Sequence, residues 1–322
     1  MGKRNLISFE NGLVIIAFLF GLGLRFYNLG GFPLSDSEAA RALQAFNHSL
    51  GQPFDTSLQP LNIMGTGLLF TLFGSSNTWA RFLPAFMGSL MVLAPLLFRT
   101  KLGPPATLIM IYGLAIDPGL VMVSRQLDSP IVAIALFVFS LGFIFRRKLI
   151  FAGIAVGLLL LTGVGAVQAA LIILMTLLAA RLFQLPPFAE ITFSDSSANE
   201  KPWLYFFGAV LGTMVISGTF FLKYQSGFSS WDESIVFFFT NWPSFVSTPP
   251  LSAILALLIY QPLALVFAII ATLRRWKTHP SLVPYCFFWI IAGFLLVILY
   301  PAREVSDFAW VLFPLWLSLI HI

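Results

Sequence analysis

The sequence predicts an all-α polytopic membrane protein of about ten transmembrane helices, with an amphipathic first loop on its outer face. Three observations predict it. Hydrophobic residues make up 58% of the 322 residues and charged residues only 10%, with a mean hydropathy of +0.91. A soluble domain sits near ~45–50% apolar and ~25% charged, because it must cover itself with polar groups. The apolar residues fall in stretches long enough for a bilayer core, and the charges fall between those stretches. Such a composition excludes a soluble globular enzyme, a disordered chain and a nucleic-acid binder, despite a pI near 9.5. The single cysteine, Cys286, excludes a disulfide framework and a cysteine-based metal site.

The predicted spans are Gly12–Tyr27, Ala80–Phe98, Pro105–Val123, Ser129–Phe145, Leu149–Gly163, Ala166–Phe183, Trp203–Leu222, Leu251–Leu273, Leu282–Tyr300 and a last one starting near Phe308. The continuous apolar stretch from Leu149 to Phe183 is divided at Thr162-Gly163-Val164-Gly165, where paired glycines permit a tight turn. Leu61–Phe73 is too short to span and reads as an interfacial or re-entrant helix. With the N-terminus inside, the positive-inside rule is met. Lys3, Arg4, Arg99, Lys101, Arg146, Arg147, Lys148, Arg181, Lys201, Arg274, Arg275 and Lys277 fall on the cytoplasmic side, and most acids fall outside. The first apolar run lacks a small-residue cleavage site and reads as a retained span. Gln184–Pro202 reads as a solvated inner connector. The long outer loops are 28–79 and 223–250, the second holding Trp231, Asp232, Glu233 and Trp242. Long patterned loops carry function, so the chemistry is expected on the outer face.

Three constellations in these loops could carry chemistry. Ser35-Asp36-Ser37-Glu38 opens an amphipathic helix running to about Leu50. Its structural reading is a capping box, with Ser35 as the cap, Glu38 reaching back, and Arg41 as an i,i+3 partner. Its functional reading makes Asp36 a general base that takes a proton from an attacking hydroxyl or amine, with Glu38 binding a substrate group or a divalent cation; any metal would sit on Glu38 or Asp36. The segment Asp117 to Asp128 ends with Arg125 and Asp128 three residues apart. That pair is either an interfacial anchor or a phosphate-binding guanidinium oriented by a carboxylate. In Tyr300–Asp307, Arg303 is either part of a polar turn or a second phosphate ligand. His48, His279 and His321 show no metal-ligand spacing. Gly153-x-x-x-Gly157 and Gly208-x-x-x-Gly212 read as helix-packing faces.

The order of these features resembles the GT-C membrane glycosyltransferases, the superfamily of the protein O-mannosyltransferases and the lipid A aminoarabinose transferases. The matching residues are Asp36-Ser37-Glu38-Ala39, Gln59-Pro60-Leu61, Leu72-Phe73-Gly74-Ser75-Ser76, Ala80-Arg81-Phe82-Leu83-Pro84, Ser124-Arg125-Gln126-Leu127-Asp128, Pro301-Ala302-Arg303 and Leu312-Phe313-Pro314. They follow the family order over most of the chain.

The resemblance implies a transferase at a bacterial-type plasma membrane, with its active face outside. It would move a sugar from a polyprenyl-phosphate-linked donor to a protein, lipid or glycan acceptor. It also implies Asp36 as base, Arg125, Arg303 and Arg81 as donor-phosphate ligands, and Asp128 and Arg41 in support. The sequence departs from the family in three places. Ser37 separates the usually adjacent acidic pair, and aligning Glu38-Ala39 puts Ser37 at the base position. Gly163 follows Thr162 where the family often has lysine. The chain reads as a single domain over 1–322 that stops inside its last span, as a fragment or a shortened member would. The alternatives are a non-catalytic subunit or degenerate relative that binds a lipid-linked glycan, and a transporter. The transporter is the weaker of the two, because the predicted spans carry almost no mid-membrane charge.

Overall fold

The computed structural model describes residues 9–53, 59–185, 202–224, 226–240, 242, 249–275 and 283–319. The described residues are helical, with no strand among them. In chain order the helices are α1 (Phe9–Phe26), α2 (Asp36–Ser49), α3 (Pro60–Phe73), α4 (Asn77–Ala80), α5 (Phe82–Met91), α6 (Pro95–Leu102), α7 (Pro104–Ile116), α8 (Pro118–Val123), α9 (Ile131–Phe145), α10 (Leu149–Leu160), α11 (Val164–Leu182), α12 (Pro202–Thr213), α13 (Ser226–Thr240), α14 (Pro250–Tyr260), α15 (Pro262–Arg275), α16 (Val283–Leu299) and α17 (Ala309–Leu319). A π-helical turn, Met214–Gly218, extends α12, and a 3₁₀ turn, Val305–Phe308, leads into α17. The predicted inner connector lies largely outside the described residues, as do Lys3, Arg4 and Lys277.

Prolines open many of these helices. Pro60, Pro95, Pro104, Pro118 and Pro250 stand in the first turn, where the missing amide costs no helical hydrogen bond. The division predicted at the paired glycines is present. Gly163 has φ +76°, and its left-handed backbone ends α10 before α11 begins. The Leu161 carbonyl freed there accepts the Leu61 amide at 3.1 Å, which ties the start of α3 to this break.

Among the described residues, three helical segments are by length and composition long and apolar enough to cross a membrane: Phe9–Phe26, Phe82–Leu102 and Val164–Leu182. The other apolar helices are shorter. The predicted span Leu251–Leu273 is broken at Gln261, between α14 and α15. Pro262 supplies no amide, which removes a helical hydrogen bond at the break.

The core centres on α9, where Ile131 to Val138 are all buried. Met110 and Leu114 of α7, Ile172 of α11, Trp289 of α16 and Trp310 and Phe313 of α17 pack with it. Lipid is as apolar as leucine, so helices in a bilayer associate through close fit rather than through removal of apolar surface from water. Small residues provide that fit. A Cβ at Gly153 would stand 2.5 Å from the Phe206 carbonyl, and one at Gly157 2.8 Å from the Val210 carbonyl, so α10 rests on the backbone of α12. Gly208 and Gly212 differ from the expectation: a Cβ at either meets nothing within 4 Å. Their helix uses another face against α10 and turns Leu204, Phe207 and Leu211 outward as exposed apolar surface.

Candidate active site

The start of α2 is built by a local signal and then locked by distant ones. Ser35 Oγ accepts the Glu38 amide at 3.3 Å, and the Ser35 amide donates back to Glu38 Oε2 at 3.0 Å, which completes the capping box. Glu38 is 3% exposed and reaches further. Arg81 donates to both of its oxygens, Nε to Oε1 at 2.8 Å and Nη2 to Oε2 at 2.7 Å, and the Leu127 amide donates to Oε1 at 2.9 Å. Arg81 also donates to the carbonyls of Leu29, Phe32 and Pro33. One ion pair therefore joins the chain after α1, the start of α2, the α4–α5 junction and the loop after α8.

A carboxylate has about four acceptor positions, and Glu38 uses four. Burial raises its proton affinity, but the hydrogen bonds from Arg81, Leu127 and Ser35 outweigh burial and hold it below the usual carboxylate range. The expected role for Glu38 at substrate or cation is corrected on this point, because no lone pair remains for a ligand. Asp36, the other expected metal ligand, is exposed at the first position of α2. Among the described residues no group of three His, Cys, Asp or Glu side chains could hold a metal ion.

Two adjoining cavities lie beside this clamp. The first, about 270 Å³, is polar and lies against α2, α3, α9 and α11; Arg41, Gln59, Asn62, Asp128, Gln168 and Glu304 are among its walls. The second, about 430 Å³, has Ser37, Arg81, Arg125, Gln126, Asp128 and Glu304 among its walls. Asp128, Glu304 and Ser306 belong to both. An apolar groove of about 290 Å³ continues from the second cavity, sharing Met122, Gln126, Val305 and Ser306 with it, and runs past Leu257, Tyr260, Phe308 and Leu312.

The expected residues separate clearly. Asp128 accepts a hydrogen bond from Ser37 Oγ and pairs with Arg41 Nη1 at 3.3 Å, so α2 meets the loop after α8 at the cavities. Arg125 lines the second cavity and donates to the carbonyls of Leu24 at 3.0 Å and Asn28 at 3.3 Å. Asp36 lines neither cavity. Arg303 also lies outside both; it is 4% exposed and donates to the carbonyls of Val297 and Ile298 at 2.9 Å, capping the end of α16.

Other residues were not legible as site residues. Gln59 stands at the N-cap of α3, Asn62 lies in its first turn and Gln168 comes from α11, and the Thr162–Gly165 turn adds Thr162, Val164 and Gly165 to the same wall. Glu304 caps the 3₁₀ turn and Asp307 is buried behind it, accepting from Gln168 Nε2 at 3.0 Å and from the Glu304 amide at 2.9 Å. Burial, and then Asp307, raise the Glu304 carboxyl above the usual range, opposed by Arg41. Asp307 is raised by burial.

A second polar knot lies behind the groove. Buried Asp117 ends α7, caps α8 through the Leu120 amide at 2.7 Å, and accepts Gln261 Nε2 at 2.6 Å and Trp316 Nε1 at 2.8 Å. Fully buried Arg25 donates to the carbonyls of Leu114 and Ala115, the last turn of α7. The α14–α15 break is thereby held to the core.

No protein-family model matches the chain, and no curated protein does. Solved structures do. ArnT from Cupriavidus metallidurans in the apo state aligns with a TM-score of 0.69 at 16% identity, over 97% of this chain and 60% of that one. The same protein bound to undecaprenyl phosphate aligns at 0.66, 14% identity, 99% and 60%. The archaeal oligosaccharyltransferase AglB from Archaeoglobus fulgidus, in complex with an inhibitory peptide and a dolichol-phosphate, aligns at 0.60, 18% identity, 97% and 50%. The chain spans about 60% of the length of ArnT. Its helices thus share the fold of ArnT and AglB.

Proposed function

We propose that this chain is the membrane-embedded part of a glycosyltransferase that uses a polyprenyl-phosphate-linked sugar at the outward face of a bacterial-type plasma membrane. The observation that carries the reading is the junction of a charged cavity with an apolar groove. An amphiphilic donor has an anionic phosphosugar head and a hydrocarbon tail, and the two compartments match those two parts. The lipid phosphates bound to ArnT and AglB support the same donor class.

In this reading Arg125 turns from its two backbone carbonyls toward the phosphate, which a guanidinium fork suits better than single carbonyl oxygens. Arg41, beside Asp128, adds a second positive charge at the boundary between the cavities. Arg81 acts by holding Glu38 and the cavity wall. Arg303 acts by finishing α16 before the loop that carries Glu304. The acceptor is a protein, lipid or glycan bearing a hydroxyl or amine.

The test is binding of undecaprenyl phosphate and dolichyl phosphate to the purified chain in nanodiscs. The wild type binds at least one of them, and Arg125→Ala weakens that binding about tenfold, the effect of ~1.4 kcal/mol. Absence of lipid-phosphate binding by the wild type would sink the reading. A second reading, a non-catalytic lipid-glycan-binding subunit, is favoured by Ser37 in the family's base position and by the saturation of Glu38. It predicts binding without donor turnover.

A further inference from the structure

We infer that Glu304 is the general base of the transfer, acting from the wall between the two cavities on the acceptor group in the polar one. The inference rests on the proposed function and names the residue that would do its proton chemistry.

Each carboxylate at the site can be followed to its partners. Glu38 has all four acceptor positions filled. Asp128 already accepts from the Ser37 hydroxyl and is paired with Arg41 Nη1 at 3.3 Å. Asp307 is buried and has both oxygens in hydrogen bonds. Asp36 lines neither cavity. Glu304 lines both, and its described partners, the Ser306 hydroxyl at 3.2 Å and the Asp307 amide of the capping box, leave acceptor capacity toward the cavities.

The polar cavity also carries a demand that protein does not meet. Asn62 is 3% exposed, and its Oδ1 has no hydrogen-bond partner among the described residues. A buried carbonyl of this kind is costly unless something donates to it. Arg41 Nη1 is buried without a hydrogen bond, although it lies in ion-pair range of Asp128. A hydroxyl-rich ligand serves both, donating a hydrogen bond to Asn62 Oδ1 and accepting one from Arg41 Nη1.

The step balances without a co-reactant. The acceptor oxygen attacks the anomeric carbon, and its proton passes to a Glu304 carboxylate oxygen. The bond between that carbon and the phosphate oxygen breaks, and its electron pair leaves with the lipid phosphate. Glu304 then releases the proton to water. Asp307 in its own turn, Tyr300 at the end of α16 and Asp128 face Glu304 around the cavities, and Arg41 of α2 opposes them. Burial and then Asp307 raise the proton affinity of Glu304 above that of an ordinary carboxylate, and Arg41 and the Ser306 hydroxyl oppose them.

The test uses the whole chain in nanodiscs, undecaprenyl-phosphate-linked monosaccharides as donors, and water as the acceptor, with released lipid phosphate as the readout. Glu304→Gln keeps the cap, because its amide oxygen still accepts. Its kcat should fall at least about 100-fold, within the range for loss of a general base. Undecaprenyl phosphate binding should stay within about twofold. The wild-type rate should rise with pH through a single ionisation that the variant lacks. Turnover by Glu304→Gln at the wild-type rate overturns the base assignment alone, as does loss of lipid-phosphate binding together with turnover. Loss in Asp36→Asn with retention in Glu304→Gln returns the role to Asp36. A wild type that binds lipid phosphate but turns over no donor overturns both this inference and the transferase reading, in favour of a binding subunit.

Discussion

Glu38 and Glu304 are two carboxylates in the same local setting, each in the capping box of a short helical start, and their environments drive them in opposite directions. Burial alone would raise both. Around Glu38 a guanidinium fork and two backbone amides overcome it, and the carboxylate is fixed as a charged structural joint. Around Glu304 the neighbours are Asp307, the Ser306 hydroxyl and Arg41, which opposes the rise without overcoming it; burial prevails, and the group keeps acceptor capacity at two cavities. Complete satisfaction makes a buried acid structural, and incomplete satisfaction beside a cavity leaves it available for chemistry.

The largest test of that contrast removes the partner of the saturated acid. Arg81→Ala leaves Glu38 buried and unpaired and should cost about 3–5 kcal/mol, read as thermal unfolding of the detergent-solubilised protein. An exposed-pair effect below ~1 kcal/mol would show that the joint is weak. The pH dependence has a definite sign. The folded Glu38 is depressed, so its contribution is present above the unfolded value of about 4 and is lost as pH falls through the folded value. Glu38→Gln should abolish that part of acid destabilisation.

Glu304 runs the other way. Its folded proton affinity is raised, so the ionised form is disfavoured in the fold and the cost is present at neutral pH but absent below about pH 4. Glu304→Gln should therefore unfold at an equal or higher temperature than wild type at pH 7, even as turnover is lost. A marked drop in Tm would assign Glu304 a structural role like that of Glu38. A smaller effect sharpens the comparison further. Asp307→Asn removes the carboxyl that helps raise Glu304, so the rising limb of the activity–pH profile should move to lower pH. The smallest is Ser306→Ala, which deletes one hydrogen bond and should change stability by only about 0.5–1.5 kcal/mol.

Elements specified by neighbouring residues were legible before the structure. The helical membrane class follows from apolar composition, α2 from its Ser35–Glu38 cap, and the α10–α11 break from Gly163. Each depends on contacts three or four residues apart or on backbone freedom at one position. The break at Gln261 was harder to see, because its apolar flanks read as one span and its amide partner, Asp117, lies 144 residues away. The glycines show the same division. Gly153 and Gly208 sit in identical spacing motifs, yet one touches backbone and the other meets open space, a difference set by the neighbouring helix.

The site follows this rule. Sequence alone determined that scarce charged residues would gather at helix ends; tertiary structure gave Asp128 to Ser37 and Arg41, and Arg125 to the carbonyls of Leu24 and Asn28. Tertiary structure alone decided that Glu38 would be consumed by Arg81, that Arg303 would cap a helix, and that Glu304 would look into two cavities. Charge and hydrogen-bond capacity are written in each residue. Their availability depends on which partners, 43 residues away for Arg81 and Glu38 and 139 for Gln168 and Asp307, have already taken them.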